Sequence, residues 1–337
     1  MSQVKDQLNR PLRDLRISLI DRCNLRCSYC MPKEVFGPDY AFLPKTSLLS
    51  NEEILFVAKS FVELGVQKLR LTGGEPLLRP NLDSLISYLY QNTGVKDISL
   101  TTNGLLLPRY ADKLKRAGLR RINVSLDSLD PARFAVMSGG KSDPEAVLRG
   151  ITAAEKAGLP VKVNMVAKQG VNEMDILPMV DFFRSKGITL RFIEFMDVGE
   201  TNRWSLKEVV PAKRILDLIS EKYEFEAVDP DYKGEVATRY RFKDTRSEFG
   251  IITSITNPFC GDCNRARISA DGKLYTCLFS NQGTDLRKSI REGITQDEFT
   301  NYVSKLWSKR DDRYSEDRSQ SKSPVKRKKI EMSYIGG

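Results

Sequence analysis

The sequence predicts an α/β protein built on a parallel sheet, as a doubly wound sheet or a partial barrel. Three observations predict it. From residue 15 to 196 a strand-like run and a helix-like run alternate six times. Amphipathic stretches of helical spacing lie between most of the strand runs, and strands joined by such crossovers are parallel. Four of these stretches end in glycine, at Gly65, Gly118, Gly158 and Gly187, the residue most often found just past a helix C-terminus.

Taken in order, the strand runs are LRISLID (15–21), QKLRLTG (67–73), DISLTTNG (97–104), RINVSLDS (121–128), VKVNMVAK (161–168) and TLRFIEFM (189–196). EEILFVAKSFVELG (52–65) and PEAVLRGITAAEKAG (144–158) are the clearest helical stretches between them. After residue 200 the pattern changes. A helix is expected over 205–222, then short strands VATRYRF (236–242) and EFGIITSI (248–255). A hairpin follows in RARISADGKLYTCLF, where Asp271–Gly272 suits a tight I′ turn. TQDEFTNYVSKLWSKR (295–310) reads as a helix, and the charged, Ser-rich stretch 311–329 as loosely ordered. The chain thus divides into 1–200, 201–310 and a tail, 311–337, ending in Gly-Gly.

Composition narrows the chemistry. The 337 residues are 40% hydrophobic, enough for a large core. No apolar run approaches the roughly 18 residues of a membrane helix, and MSQVKDQLNR has no signal-peptide core. A cytoplasmic protein with no membrane partner is expected. There the six cysteines serve as ligands or free thiols rather than disulfides. With no histidine, Ser–His and Cys–His nucleophilic pairs, Cys₂His₂ zinc fingers and histidine-ligated iron are excluded, so any metal must be held by cysteines. The net charge of +10 points to an anionic partner, although part of the excess lies in PVKRKK (324–329), read as a solvated segment. That run has no interleaved aromatics, which argues against nucleic acid.

In parallel α/β architectures functional groups gather at the C-terminal ends of strands, and the unusual residues fall there. Cys23, Cys27 and Cys30 follow the first strand, and Thr72–Gly73–Gly74–Glu75–Pro76 the second. Thr101, Thr102 and Asn103 end the third, Ser125 and Asp127 the fourth, and Met196 the sixth; Lys162 lies in the fifth. The cysteines form C-x₃-C-x₂-C, one ligand short of a closed zinc site or a fully ligated cluster. A second trio, Cys260, Cys263 and Cys277, is also one short. Beside it, Arg265 and Arg267 of Asn264-Arg265-Ala266-Arg267 share a strand face roughly 6.5 Å apart, suiting a polyphosphate. Pairing straight across Asp271–Gly272 puts Cys277 opposite Ala266, on the face away from the arginines; a bulge would reverse that parity. Gly139-Gly140-Lys141-Ser142 is not a P-loop, because residue 135, where the motif needs glycine, is Ala.

The first trio, Tyr29 before its last cysteine, and GGEP at 73–76 resemble the radical S-adenosylmethionine (SAM) superfamily. With the second trio, NRAR and the terminal Gly336–Gly337, the chain resembles, from Leu15 to its end, the GTP 3′,8-cyclase family that begins molybdenum cofactor biosynthesis. The resemblance implies an incomplete (βα)₆ TIM-like barrel closed by a C-terminal α+β segment. It implies two 4Fe–4S clusters, one on each trio, each with an open iron: the first for SAM, the second for the guanine of GTP. SAM would be cleaved to methionine and a 5′-deoxyadenosyl radical that takes hydrogen from ribose C3′, and the C3′ radical would add to guanine C8. By motif position Tyr29, Gly74, Ser125 and Met196 would contact SAM. Arg16, Arg70, Thr101, Lys162, Arg265, Ala266 and Arg267 would contact GTP, and Gly336 and Gly337 would enter the active site and be needed for catalysis. A one-electron donor, and delivery of product to the cyclic pyranopterin monophosphate synthase, would follow; monomer and homodimer both remain open. Two other readings stand beside it: a radical SAM enzyme with an auxiliary cluster acting on a peptide, and a basic zinc protein that binds nucleic acid.

Overall fold

The structure, a computed structural model, describes residues 3–140, 142–320 and 329–336. Six strands pair in sequence order, all parallel: β1 (Asp14–Ser18), β2 (Lys68–Thr72), β3 (Asp97–Thr102), β4 (Arg121–Ser125), β5 (Val161–Ala167) and β6 (Thr189–Glu194). Helices at Asn51–Glu63, Leu82–Asn92, Leu107–Arg116, Pro144–Lys156 and Ile176–Ser185 supply the crossovers. Their ends carry local signals. Ser50 and Glu53 form a capping box, and Asp143 caps a helix that opens on Pro144. All four predicted C-terminal glycines have positive φ, from 68° to 112°.

Each strand is two-faced. Leu69 and Leu71 of β2 lie in the core under the helices, whereas Lys68, Arg70 and Thr72 line an inner cavity. Arg16 on β1, Lys162 and Asn164 on β5, and Thr189 and Arg191 on β6 point to the same cavity. The period of two along a strand thus separates an apolar shell from a polar lumen.

The C-terminal segment extends this same sheet at both edges. β7 (Phe225–Val228), β8 (Thr238–Phe242) and β9 (Glu248–Ile252) form a meander whose β9 runs parallel to β6. β10 (Arg265–Ile268) runs parallel to β1 and is followed by β11 (Lys273–Tyr275) and β12 (Thr284–Asp285). The order is β12-β11-β10-β1-β2-β3-β4-β5-β6-β9-β8-β7. Among the described residues no ladder joins β7 to β12, so hydrogen bonding does not close the barrel. The link across the gap is a loop. Tyr232, after β7, sets its ring 3.2 Å from Lys68 Nζ, and the Lys233 carbonyl accepts from Asn264 Nδ2 at 3.4 Å. Among the described residues no helix is long and apolar enough to cross a membrane.

Three expected elements differ. The helix expected over 205–222 is a short 3₁₀ turn, Leu206–Glu208, and a helix, Ala212–Ser220. Pro211 separates them, because the residue before proline is forced extended. Within the charged stretch 311–329, Tyr314–Gln320 is helical. The hairpin turn is not I′. Ser269 N donates to Lys273 O and Gly272 N to Ser269 O, with Gly272 at φ +83°: a three-residue loop with a glycine bulge. Arg267 therefore pairs with Tyr275, and continuing this register moves Cys277 onto the arginine face, the parity that straight pairing misses.

Gly272→Ala should cost about 1–2 kcal/mol, the penalty of a left-handed non-glycine residue, because its Cβ would also press on Arg287 Cβ at 2.8 Å. Thermal unfolding of the anaerobic protein checks this, and an unchanged midpoint would refute the bulge.

Candidate active site

One cavity inside the curved sheet receives all six cysteines. The first trio sits in the loop after β1, packed under the glycine loop after β2. Gly74 N donates to Ile20 O at 2.7 Å and Glu75 N to Arg22 O at 2.8 Å. A Cβ on Gly73 or Gly74 would overlap the Ile20 or Arg22 carbonyl. The close approach of two protein loops is therefore enough to require these glycines. Glu75, buried, accepts from Leu77 N, Thr102 Oγ1 and Asn103 N at 2.8–3.0 Å. Burial pushes its carboxyl up to about 7 against those three donors. Asn103 in turn donates to Asn24 Oδ1 at 2.8 Å. Glu75 thus ties the end of β3 to the cysteine loop.

The thiols face burial without countercharge. Burial pushes Cys23 up to about 11, Cys30 to about 12, and Cys27 well above its ordinary value. Such thiols ionise only for a bound cation, and metal binding releases their protons. Leu25 N lies 3.4 Å from Cys23 Sγ, the kind of N–H donor that supports a ligating sulfur. Among the described residues no three thiol or carboxylate groups converge on one point as a single ion requires, whereas a cluster takes its three ligands on three separate irons. The donor set, three clustered thiols and no histidine, fits an iron–sulfur cluster with one iron unligated by protein. Around it Tyr29, Gly74, Ser125 and Met196 all line the cavity. Tyr29 gives its hydroxyl to Asp127 Oδ2 at 2.9 Å, so its hydroxyl is already used.

Below the rim the floor is cationic. Arg16 pairs by register with Arg70 on one side and Arg267 on the other. Arg70 is held by Asp14 at 2.6 Å; burial would lower its pKa, but Asp14 outweighs burial and raises it. Arg16 and Arg267 feel Asp14 only at longer range, and it does not outweigh their burial. Each keeps a buried Nε with no hydrogen-bond partner among the described residues. Burial, then Arg267, holds Arg16 well below the usual guanidinium range, and burial, then Arg265, lowers Arg267 to about 10. Lys162 is lowered by burial and by Arg191; Arg191 donates to Asn164 Oδ1 at 2.9 Å and Asn123 Oδ1 at 2.6 Å. Thr101 lies beside Asn123 in the same row. Unpaired buried cations of one sign need an anion.

The second trio closes the other side. Cys263 Sγ accepts from Arg265 Nη2 at 3.1 Å, and Cys277 Sγ from Phe279 N at 3.4 Å. Burial would raise both thiols. It takes Cys277 to about 12, but Arg265 and Arg310 outweigh it at Cys263 and bring that thiol to about 6. Arg265 is thus engaged by a thiol, while Arg267 is free to meet a ligand. Ala266 is in the core, so its side chain does not line the cavity.

The tail returns to the rim. Ile335 and Gly336 are buried, and a Cβ on Gly336, at φ +73°, would overlap Thr72 Cγ2. Tyr334 donates to Asp271 Oδ2 at 2.6 Å, and Glu331 accepts from Glu200 N and Thr201 Oγ1. Asp197, one residue past Met196, receives Tyr314 and Lys329, each at 2.8 Å, and Arg318. Gly337, Lys141 and residues 324–328 lie outside the described residues.

Sequence reasoning missed Asp14, Asn123, Arg191 and Asp197, and placed Glu75 at a strand end without giving it a role. For Asn123 and Arg191 the signal was present: polar residues at alternate positions of otherwise apolar strands. Nothing local marks Asp197 or Glu75 as buried acceptors.

Two family models match the chain. Residues 17–183 match the radical SAM superfamily, and 188–316 match Molybdenum Cofactor Synthesis C. A protein of Staphylococcus haemolyticus named GTP 3′,8-cyclase is 52% identical over 339 residues, covering 100% of both chains. One of the same name from Staphylococcus aureus (strain JH9) is 50% identical with the same coverage. Among solved structures, SuiB of Streptococcus suis bound to S-adenosylmethionine superposes with a TM-score of 0.61 at 15% identity, over 85% of this chain and 65% of that one. That likeness speaks for the fold alone.

Two outcomes follow from the site's electrostatics. In cluster-free protein at pH 7, Cys263 should be alkylated ahead of Cys23, Cys30 and Cys277, since only its pKa falls below neutrality among these four; mass-spectrometric mapping that finds Cys277 modified first would contradict this. Asp197→Asn should loosen the tail, seen as faster amide exchange over 329–336, and unchanged protection there would show that the tail docks without it.

Proposed function

The chain belongs to the GTP 3′,8-cyclase family of the radical SAM superfamily, and from that premise we propose how its residues divide the reaction. It converts GTP to (8S)-3′,8-cyclo-7,8-dihydroguanosine 5′-triphosphate, the first step of molybdenum cofactor biosynthesis. The observation that carries the assignment of parts is that two open cysteine trios face one cavity, with unpaired cations between them.

Cys23, Cys27 and Cys30 hold the SAM-binding 4Fe–4S cluster, which when bound supplies the electron that splits SAM into methionine and a 5′-deoxyadenosyl radical. Cys260, Cys263 and Cys277 would hold a second cluster, which when bound would supply a binding site for the guanine. Arg16, Arg70, Lys162 and Arg267 seat the triphosphate, and Asp14 keeps Arg70 aimed. The two unpartnered Nε atoms become satisfied only in the complex, so the floor favours a polyanion over a neutral nucleoside. Tyr29, Gly74, Ser125 and Met196 border SAM, and Thr101 lies where ribose would pass between the two ends. Fixing the sugar between two anchored ends holds C3′ near the radical source and away from water. Gly336 completes the wall at Thr72, and Gly337 shares its part in catalysis. In this reading the enzyme works in the cytoplasm, receives electrons from a one-electron donor, and passes product to the cyclic pyranopterin monophosphate synthase, with no nucleic-acid partner. The peptide-modifying alternative is not favoured, because the relatives that match the whole chain are named for GTP.

Anaerobic incubation with SAM, reductant and GTP should give 5′-deoxyadenosine and the cyclised nucleotide; 5′-deoxyadenosine without cyclised product would sink the assignment. Cys27→Ser should abolish SAM cleavage, whereas Cys277→Ser should spare it and damage cyclisation, and normal cyclisation by the Cys277 variant would remove the second trio from substrate binding. Arg267→Ala should weaken GTP by roughly 1.5–3 kcal/mol and leave SAM affinity unchanged; an equal loss for guanosine would show that Arg267 does not read phosphate. Deleting Gly336 and Gly337 should collapse product formation while GTP affinity holds, and full activity would refute a role for the terminus.

A further inference from the structure

Behind the second trio lies a charge network whose one part named so far is Arg310, through its effect on the Cys263 thiol. Arg10 and Arg310 are 2% and 4% exposed, and Asp6 is 6% exposed. Burying two guanidiniums is costly unless every group is paired. Arg10 Nε bonds Asp6 Oδ2 at 2.5 Å, and Arg310 Nε bonds Asp312 Oδ1 at 3.0 Å. Two arginines and two aspartates cancel in charge across the network, although Arg10 Nη2, 3.8 Å from Asp312 Oδ1, has no hydrogen bond among the described residues.

Its outward bonds are selective. Arg10 Nη1 donates to the carbonyl of Cys260 at 2.9 Å, and Arg310 Nη1 to the carbonyl of Cys263 at 2.7 Å. Asp312 Oδ2 accepts from Thr276 Oγ1 at 2.7 Å, and Thr276 immediately precedes Cys277. One network therefore grips the backbone or the neighbour of all three cysteines. The same device occurs at the first trio, where Arg26 Nη1 donates to Cys23 O at 2.8 Å while its Nε bonds Phe36 O at 2.6 Å. Trp307 Nε1 bonds Arg10 O at 3.1 Å, anchoring the N-terminal segment that brings Arg10 to a turn 250 residues away.

We propose that Arg10 and Arg310 are positioning residues for the second cluster. They hold the 260–263 turn and the bend at Cys277 in one geometry, so that the three thiolates would be placed together to take a cluster. This rests on the reading that the second trio carries a cluster. A planar fork is needed, since Arg10 reaches a cysteine carbonyl, the Asp312 carbonyl at 2.8 Å and a carboxylate at once. Lysine cannot do this.

The test uses the full chain with Cys23, Cys27 and Cys30 all changed to Ser, so that only the second site binds iron. After anaerobic purification, iron, sulfide and the electron paramagnetic resonance of the reduced cluster are measured with and without Arg10→Gln, Arg10→Lys or Arg310→Lys. Each arginine change should lower cluster retention or shift the spectrum, with cyclised product in the otherwise native chain falling about 10–100-fold, the usual size of such outer-sphere effects. Cleavage of SAM by the first cluster should stay within about twofold of the parent. Thr276→Val, which deletes a single hydroxyl, carries the same prediction at smaller size should the arginine variants not fold. Unchanged second-site iron and spectrum would overturn the proposal, as would equal loss of both clusters, which would mark the network as a general part of the fold. A parent without the first trio that binds no iron would instead overturn the second cluster itself.

Discussion

The repulsion between Arg16 and Arg267, neighbours in register on β1 and β10, is the constraint on which the rest of the structure depends. Two guanidiniums side by side in a sheltered cleft, each with an unsatisfied Nε, oppose folding. Parallel pairing of β10 with β1 nevertheless forces them together, with Arg70 on the far side of Arg16. One carboxylate, Asp14, bonds Arg70 directly and offsets only part of the burial of Arg16 and Arg267. The fold tolerates this arrangement because the barrel wall is otherwise apolar on its outer face and well packed. The residual charge is stored binding energy for a polyanion.

That constraint also explains the architecture around the floor. The sheet does not close with a continuous ladder among the described residues. Instead the C-terminal segment adds strands at each edge and bridges the gap with a loop at Tyr232 and Lys233. The two trios sit on opposite sides of the floor, so a ligand seated on the arginines meets both. The tail lies on the same rim, pinned by Asp197 and Glu331 and seated against Thr72.

Much of this was legible in the residues. Six alternations and four capping glycines announced the sheet, and two cysteine trios one ligand short announced the chemistry. The glycine bulge at Gly272 was not legible, since an Asp-Gly pair serves both a two-residue and a three-residue loop, and only the flanking hydrogen bonds decide. The helix Tyr314–Gln320 was hidden because its composition is that of a solvated segment; its order comes from tertiary contacts, with Tyr314 stacked on Phe279 at 4.6 Å and both Tyr314 and Arg318 on Asp197. The roles of Asp14, Glu75, Arg10 and Arg310 depend on partners up to hundreds of residues away, and no local pattern encodes them. Arg265 shows another case: its place on the cavity face was legible, whereas its bond to the Cys263 thiol was not.

The central claim is that the arginine floor is a polyphosphate seat inside the cavity shared by both trios. Thermal unfolding of the anaerobic protein against rising inorganic tripolyphosphate tests it most directly, because a ligand of the folded state alone raises the midpoint with concentration. The account predicts a rise that high salt weakens, that Arg16→Ala or Arg267→Ala largely removes, and that guanosine cannot produce. A midpoint indifferent to tripolyphosphate, or a rise that survives loss of both arginines, would contradict it.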